Sequence, residues 1–173
     1  LAVVATPGTG AVFTISAGLG GGRKRAIIAA TGCTLGIVPH MVAAITGVAA
    51  LVHSSAIAFA ALKWAGVAYL LYLAWMTWRD RSDLAANADE AKTSAWTTIR
   101  RAVLINLLNP KLTVFFFAFL PQFVDPAGSM VWLTMVQLSL VFMAMTWIVF
   151  AGYGVFAAAM RSHVLTRPRV LAW

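Results

Sequence analysis

The sequence predicts a polytopic bundle of transmembrane helices, and three observations carry that prediction. Hydrophobic residues make up 61% of the chain and charged residues 10%. The mean hydropathy of +0.85 lies beyond that of a soluble globular domain. At about 1.5 Å of rise per residue, roughly 20 residues cross a hydrocarbon core. Five stretches of that length, 1–20, 26–51, 56–78, 99–123 and 130–160, run between short polar breaks. Finally, the basic residues fall in alternate connections. Arg23, Lys24 and Arg25 follow the first span, Arg79, Arg81, Lys92, Arg100 and Arg101 lie between the third and fourth, and Arg161, Arg167 and Arg169 follow the fifth. Apolar and polar residues do not alternate at period two, which argues against an outer-membrane barrel.

By the positive-inside rule these connections are cytoplasmic, so the N-terminus lies outside and the C-terminal tail inside. The connections at His53 and at Asp125 carry no Lys or Arg. The net charge of +8 is thus a topology signal rather than a nucleic-acid footprint. The chain begins on Leu1 within a span and stops after "RPRVLAW". We expect residues to be missing at both ends.

Span one carries Pro7-Gly8 about a dozen residues before it ends. Proline has no N–H, so within a helix it frees the carbonyl four residues earlier, here that of Val3. The turn after it, "GLGGGRKR", has no strand before it and reads as a tight turn, not a phosphate loop.

Span two holds Cys33, which has no second cysteine to pair with. It also holds Gly32 and Gly36 in a GxxxG spacing that permits close helix contact or a homo-oligomer. Pro39 frees the Leu35 carbonyl, and His40 follows it. Histidine takes up and releases protons near neutral pH, so His40 is a candidate proton carrier as well as a packing residue.

Span three contains Lys63 in its outer third, an accessory candidate within snorkelling reach of the interface. Trp75 and Trp78, with Trp132 at the start of span five, fit an interfacial belt. A cytoplasmic linker at 79–98 then divides one transmembrane domain, 1–173, into three spans and at least two.

Span four opens its apolar run with "NPKLTVFFFAFL". Pro110 frees the Asn106 carbonyl, and in an unbroken helix Asn106, Asn109 and Thr113 share one stripe while Lys111 points about 200° from Asn109. A break at Pro110 is needed to aim them all inward. A lysine at the bilayer centre costs about 2.5–3.5 kcal/mol and usually faces a bundle interior or wet cavity. Lys111 is also about 15 Å of helix from Arg100, within reach of snorkelling. Breaks in spans one and four, which run in opposite directions, are the pattern of inverted three-helix repeats around a midplane site.

No carboxylate lies inside a span. Fixed positive charge with a helix N-terminus favours an anionic group, and freed carbonyls favour an ammonium. A zwitterion has both. No metal-ligand spacing is present, and no cofactor is expected. His40 has no catalytic partner in view, so an enzyme is not expected.

The segments "TPGTG", "GGRKRAIIAATGCTLGIVPH", "LKWAGVAYLLYLAWMTWR" and "INLLNPKLTVFFFAFLPQFV" together resemble the LysE/RhtB amino-acid exporters in order and spacing along most of the chain. The most specific element is Asn109-Pro110-Lys111 followed by Leu120-Pro121-Gln122-Phe123. The resemblance implies a bacterial inner-membrane protein of six spans, the sixth not seen here, that expels amino acids and related solutes in exchange for protons. It implies that Pro7, Gly8, Asn109, Pro110 and Lys111 correspond to family motif positions, and that His40 matches a histidine found in span two. Thr9 and Gly10 depart from the family's Pro-Gly-Pro and following polar residue.

The expectation is therefore a secondary transporter that exports an amino acid or similar small zwitterion. Pro7, Gly8, Asn106, Asn109, Pro110 and Lys111 form the substrate site. Lys111 and the helix start at Pro110 hold the carboxylate, freed carbonyls hold the amine, and His40 carries the proton. The alternatives are an exporter of an inorganic anion or metal cation, and a non-transporting membrane subunit or fragment.

Overall fold

The structure is a computed structural model, and it describes residues 2–54, 64, 68, 72, 75, 94–124 and 130–165. Among these residues every regular element is helical. The elements are α1 (Ala2–Ala5), α2 (Thr9–Leu35), α3 (Val38–Ser54), α4 (Ala95–Leu107), α5 (Pro110–Val114) and α6 (Val131–Leu165). A π-helical turn, Phe115–Phe119, and a 3₁₀ turn, Leu120–Phe123, continue α5. A helix satisfies its own backbone, which is what lipid demands of any spanning segment.

Two runs of described residues, Thr9–Gly47 and Val131–Arg161, are long and apolar enough to cross a membrane. Ala95–Leu107 with Pro110–Phe123, bent by 54° at the break, makes a third when taken as one broken span. The sequence reading of five spans is therefore only partly visible. Most of its third span and most of its linker lie outside the described residues, as do Lys63 and Trp78. The linker's last residues belong to α4, whose first turn is closed by the Ser94 hydroxyl accepting from the Thr97 N–H at 3.2 Å.

The first run reverses on itself. Gly22 has φ 74° and ψ −174°, outside the helical region and open to glycine. The Cys33 thiol reaches the Gly10 carbonyl at 3.6 Å across 23 residues, which in a straight helix would span about 35 Å. The glycine turn expected from "GLGGGRKR" is thus a hairpin between the two halves of α2.

The described chain divides into two compact units. The first comprises 1–36, 82–106 and 144–173. Small residues form its core: Ala11, Ala30, Cys33 and Ala102 pack around Phe150. Without a hydrophobic force between helices in lipid, close backbone approach through small residues supplies the packing. Gly32 and Gly36 serve this purpose within the chain, because a Cβ on either would meet Ile99, Ala102, Val103 or Asn106 of α4. The GxxxG spacing thus seats a helix of its own chain.

Gly18 and Gly154 make the closest approach, a Cβ on Gly18 overlapping the Gly154 carbonyl. Backbone cannot yield as a flexible side chain can, so Gly18→Val is expected to lose about 1–3 kcal/mol or more. Gly152→Ala, with open space around its Cβ, is the neutral control. Thermal unfolding in detergent checks the pair.

The second unit comprises 37–81 and 107–143. Its centre is aromatic. The Phe115 and Phe142 rings stack at 4.1 Å, and Phe116 meets Phe142 edge-on at 5.6 Å. The π-helical turn lets consecutive Phe115 and Phe116 both turn inward, which a regular helix would set about 100° apart. Trp75 and Trp132 are exposed, at 64% and 57%.

Candidate functional site

Three helix breaks organise the polar groups, and each lies where a proline removes a donor. Between α1 and α2 the chain leaves the helix at Thr6, Pro7 and Gly8. Between α2 and α3 it turns at Gly36 and Ile37, just before Pro39. Between α4 and α5 it breaks at Leu108 and Asn109, before Pro110.

In the first unit, the break at Pro7-Gly8 exposes two kinds of group on one chain segment. Gly8 is the N-cap of α2, extended at φ −125° and ψ −176°, with no side chain to cap the helix. The first N–H groups of a helix have no intrahelical acceptor, and together they form a ready anion site. The last carbonyls of α1 stand on the other side of the break. Tyr153 on α6 donates its hydroxyl to the Ala5 carbonyl at 2.8 Å and so fixes that side.

Asn106 is buried in the same unit, at 1% exposure, and donates its Nδ2–H to the Cys33 carbonyl at 2.7 Å. That carbonyl lies in the last turn of α2, where the break removes its helical donor. Its amide also abuts Gly10, whose missing side chain makes the room. Asn106 therefore braces the break in span two. Thr14 completes the cluster, donating to the Gly10 carbonyl at 2.8 Å.

In the second unit, Asn109 is the N-cap of α5 and its Oδ1 accepts from the Lys111 N–H at 3.1 Å. The Asn109 carbonyl accepts from the Leu112 N–H at 3.1 Å, and Pro110 has no N–H to give. The donors at this helix start are thus taken by Asn109 itself. The Lys111 side chain at this helix start is half-buried.

His40, 6% exposed, lies in this second unit with its Nδ1 at 3.5 Å from the Thr113 hydroxyl and its ring over Phe116 at 6.4 Å. The polar stripe read from span four is thus divided. Asn106 turns to Cys33, Asn109 caps its own helix, and Thr113 turns to His40. Among the described residues no three His, Cys, Asp or Glu side chains gather as a metal-binding group.

Sequence reasoning passed over α6. Its buried face is Met135, Ser139, Phe142, Thr146, Phe150 and Gly154, recurring every three or four residues. Ser139 and Thr146, seven residues apart on an apolar stripe, were the available signal.

The family model described as LysE type translocator matches residues 1–173. An uncharacterized membrane protein of Vibrio cholerae is 39% identical over 158 residues, 91% of this chain and 77% of that protein. A homoserine/homoserine lactone efflux protein of Salmonella typhimurium is 38% identical over 126 residues, 70% of this chain and 59% of that protein. A leucine efflux protein of Enterobacter is 32% identical over 160 residues, 87% of this chain and 74% of that protein. No solved structure matches.

Proposed function

We propose that this chain, which belongs to the LysE type translocator family of membrane transporters, exports an amino acid or a closely related small zwitterion across the bacterial inner membrane, its N-terminus outside. The observation that carries the reading is the Pro7-Gly8 break. Its uncapped helix start offers N–H groups to a carboxylate, and the carbonyls ending α1 offer acceptors to an ammonium. One interrupted segment therefore presents both charge preferences of an amino acid. Relatives named for homoserine and leucine efflux support the same substrate class.

Lys111 adds a positive charge inside a span, and its field draws the anionic end of the substrate inward. Asn109 and Pro110 serve by holding Lys111 at the start of its helix, and Asn106 by bracing the broken second span. The paired breaks at Pro7 and Pro110 also support the inverted-repeat reading.

His40 is the proton carrier in this account, with Thr113 orienting its ring. Exchange of substrate for substrate moves no net proton. His40→Gln is thus expected to abolish accumulation driven by a pH gradient while leaving amino-acid counterflow within about threefold of wild type. Proteoliposomes assayed both ways check this. Equal loss of both activities would assign His40 a packing role.

The export itself is tested in cells loaded with a mixture of amino acids, comparing this chain with an empty control. Selective loss of one or a few amino acids is expected. Unchanged retention of all of them, with membrane insertion confirmed, would contradict the reading.

A further inference from the structure

Four hydroxyl side chains are buried among the described residues: Thr14, Thr98, Ser139 and Thr146. Three of them donate to a carbonyl four residues back. Thr14 donates to the Gly10 carbonyl at 2.8 Å, Thr98 to Ser94 at 3.2 Å and Ser139 to Met135 at 2.6 Å. Thr146 does not. Its Oγ1 is buried without a hydrogen-bond partner, and the residue is 3% exposed.

Burying a hydroxyl unpaired is unfavourable, and a threonine in a helix has a second rotamer that would bond the carbonyl one turn back. Thr146 forgoes that bond. Such a buried, unpartnered hydroxyl is an exception in a native core and calls for a specific role.

The position supplies one. In the first unit Gly10 packs against Phe150, while Gly154 packs against Thr14 and Gly18. The first half of α2 and this part of α6 therefore run parallel, turn for turn. Thr146 is one turn before Phe150 on the same buried stripe. The register sets it level with residues 6–8, where Gly8 leaves the start of α2 uncapped.

We infer that the Thr146 hydroxyl binds the exported substrate, donating to its carboxylate beside the N–H groups at Gly8. This rests on the amino-acid reading above. A carboxylate has two oxygens and several lone pairs, so it accepts from a helix start and a hydroxyl together. The occupant is thus any solute with an α-carboxylate. Thr146 acts on affinity, not on the proton.

Thr146→Val, Thr146→Ser and Thr146→Ala test this in proteoliposomes by amino-acid counterflow and thermal unfolding. Valine keeps the branched shape and deletes only the hydroxyl. The expected result is a KM raised roughly tenfold in the valine and alanine chains, with the maximal rate within about twofold of wild type. Serine restores the wild-type KM. The melting temperature of the valine chain is unchanged or higher, because an unpaired hydroxyl has been removed. Inhibition by the corresponding amine lacking a carboxylate is the same in wild type and valine chains.

A wild-type KM in both the valine and alanine chains overturns the inference while leaving amino-acid export standing. So does a lowered melting temperature with a reduced rate and an unchanged KM, the pattern of a structural residue. If valine fails to insert, the alanine chain decides. A wild-type chain that shows counterflow with no amino acid overturns the export reading, and the inference with it.

Discussion

Gly8→Asp is expected to yield a chain that inserts and folds but has lost amino-acid efflux by at least about tenfold, because it places a carboxylate where the substrate's carboxylate is held. The backbone admits the change: φ −125° and ψ −176° at Gly8 is extended geometry open to any residue, and aspartate is among the best N-caps. Capping and the helix dipole together contribute about 0.5–1 kcal/mol, which offsets part of the cost of bringing the charge out of water. Transport should therefore fall by more than the loss of stability explains. Gly8→Asn is the control, since it caps the helix without a charge and should lose less transport. Thermal unfolding in detergent alongside efflux from loaded cells reads both quantities. Full efflux in the aspartate chain would mean that the helix start at Gly8 does not receive the substrate.

Lys111→Met should likewise insert normally, and should reduce efflux roughly ten- to hundredfold, the range of one charge-assisted hydrogen bond or its equivalent in field. Methionine keeps the length of the stem, so packing changes little. Removing a charge from a membrane span also removes a desolvation cost of about 2.5–3.5 kcal/mol. A structural lysine and a functional one thus predict different outcomes. If Lys111 only snorkels, the methionine chain transports as wild type does. If it supplies the field that brings the anionic end of the substrate inward, transport falls. Lys111→Arg keeps the charge but replaces a compact ammonium with a planar fork, and should retain an intermediate rate.

The features legible in the sequence were those fixed by local covalent chemistry. Proline cannot donate, so the breaks at Pro7, Pro39 and Pro110 appear within a few residues of where the chain says they must. Only glycine turns back readily at positive φ, and Gly22 does so within "GLGGGRKR". What was not legible depended on partners distant in sequence. That Asn106 donates an amide hydrogen to the Cys33 carbonyl, 73 residues away, is not legible in the sequence. The GxxxG spacing in span two does not say whether the helix it seats comes from the same chain. Asparagine followed by proline is an N-cap and first-turn signature, and the helix does start at Pro110. The helix start expected to receive a carboxylate is capped by its own asparagine, whose side chain accepts from the Lys111 N–H.

The central claim is that the substrate is recognised by its two charged ends, and counterflow in proteoliposomes reads this directly. The liposomes would be preloaded with the exported amino acid and then offered, outside, that amino acid, its descarboxylated amine, its deaminated acid or an inorganic anion. Exchange with the amino acid alone is the predicted result. Equal exchange with the amine, with the acid or with the inorganic anion would contradict the account.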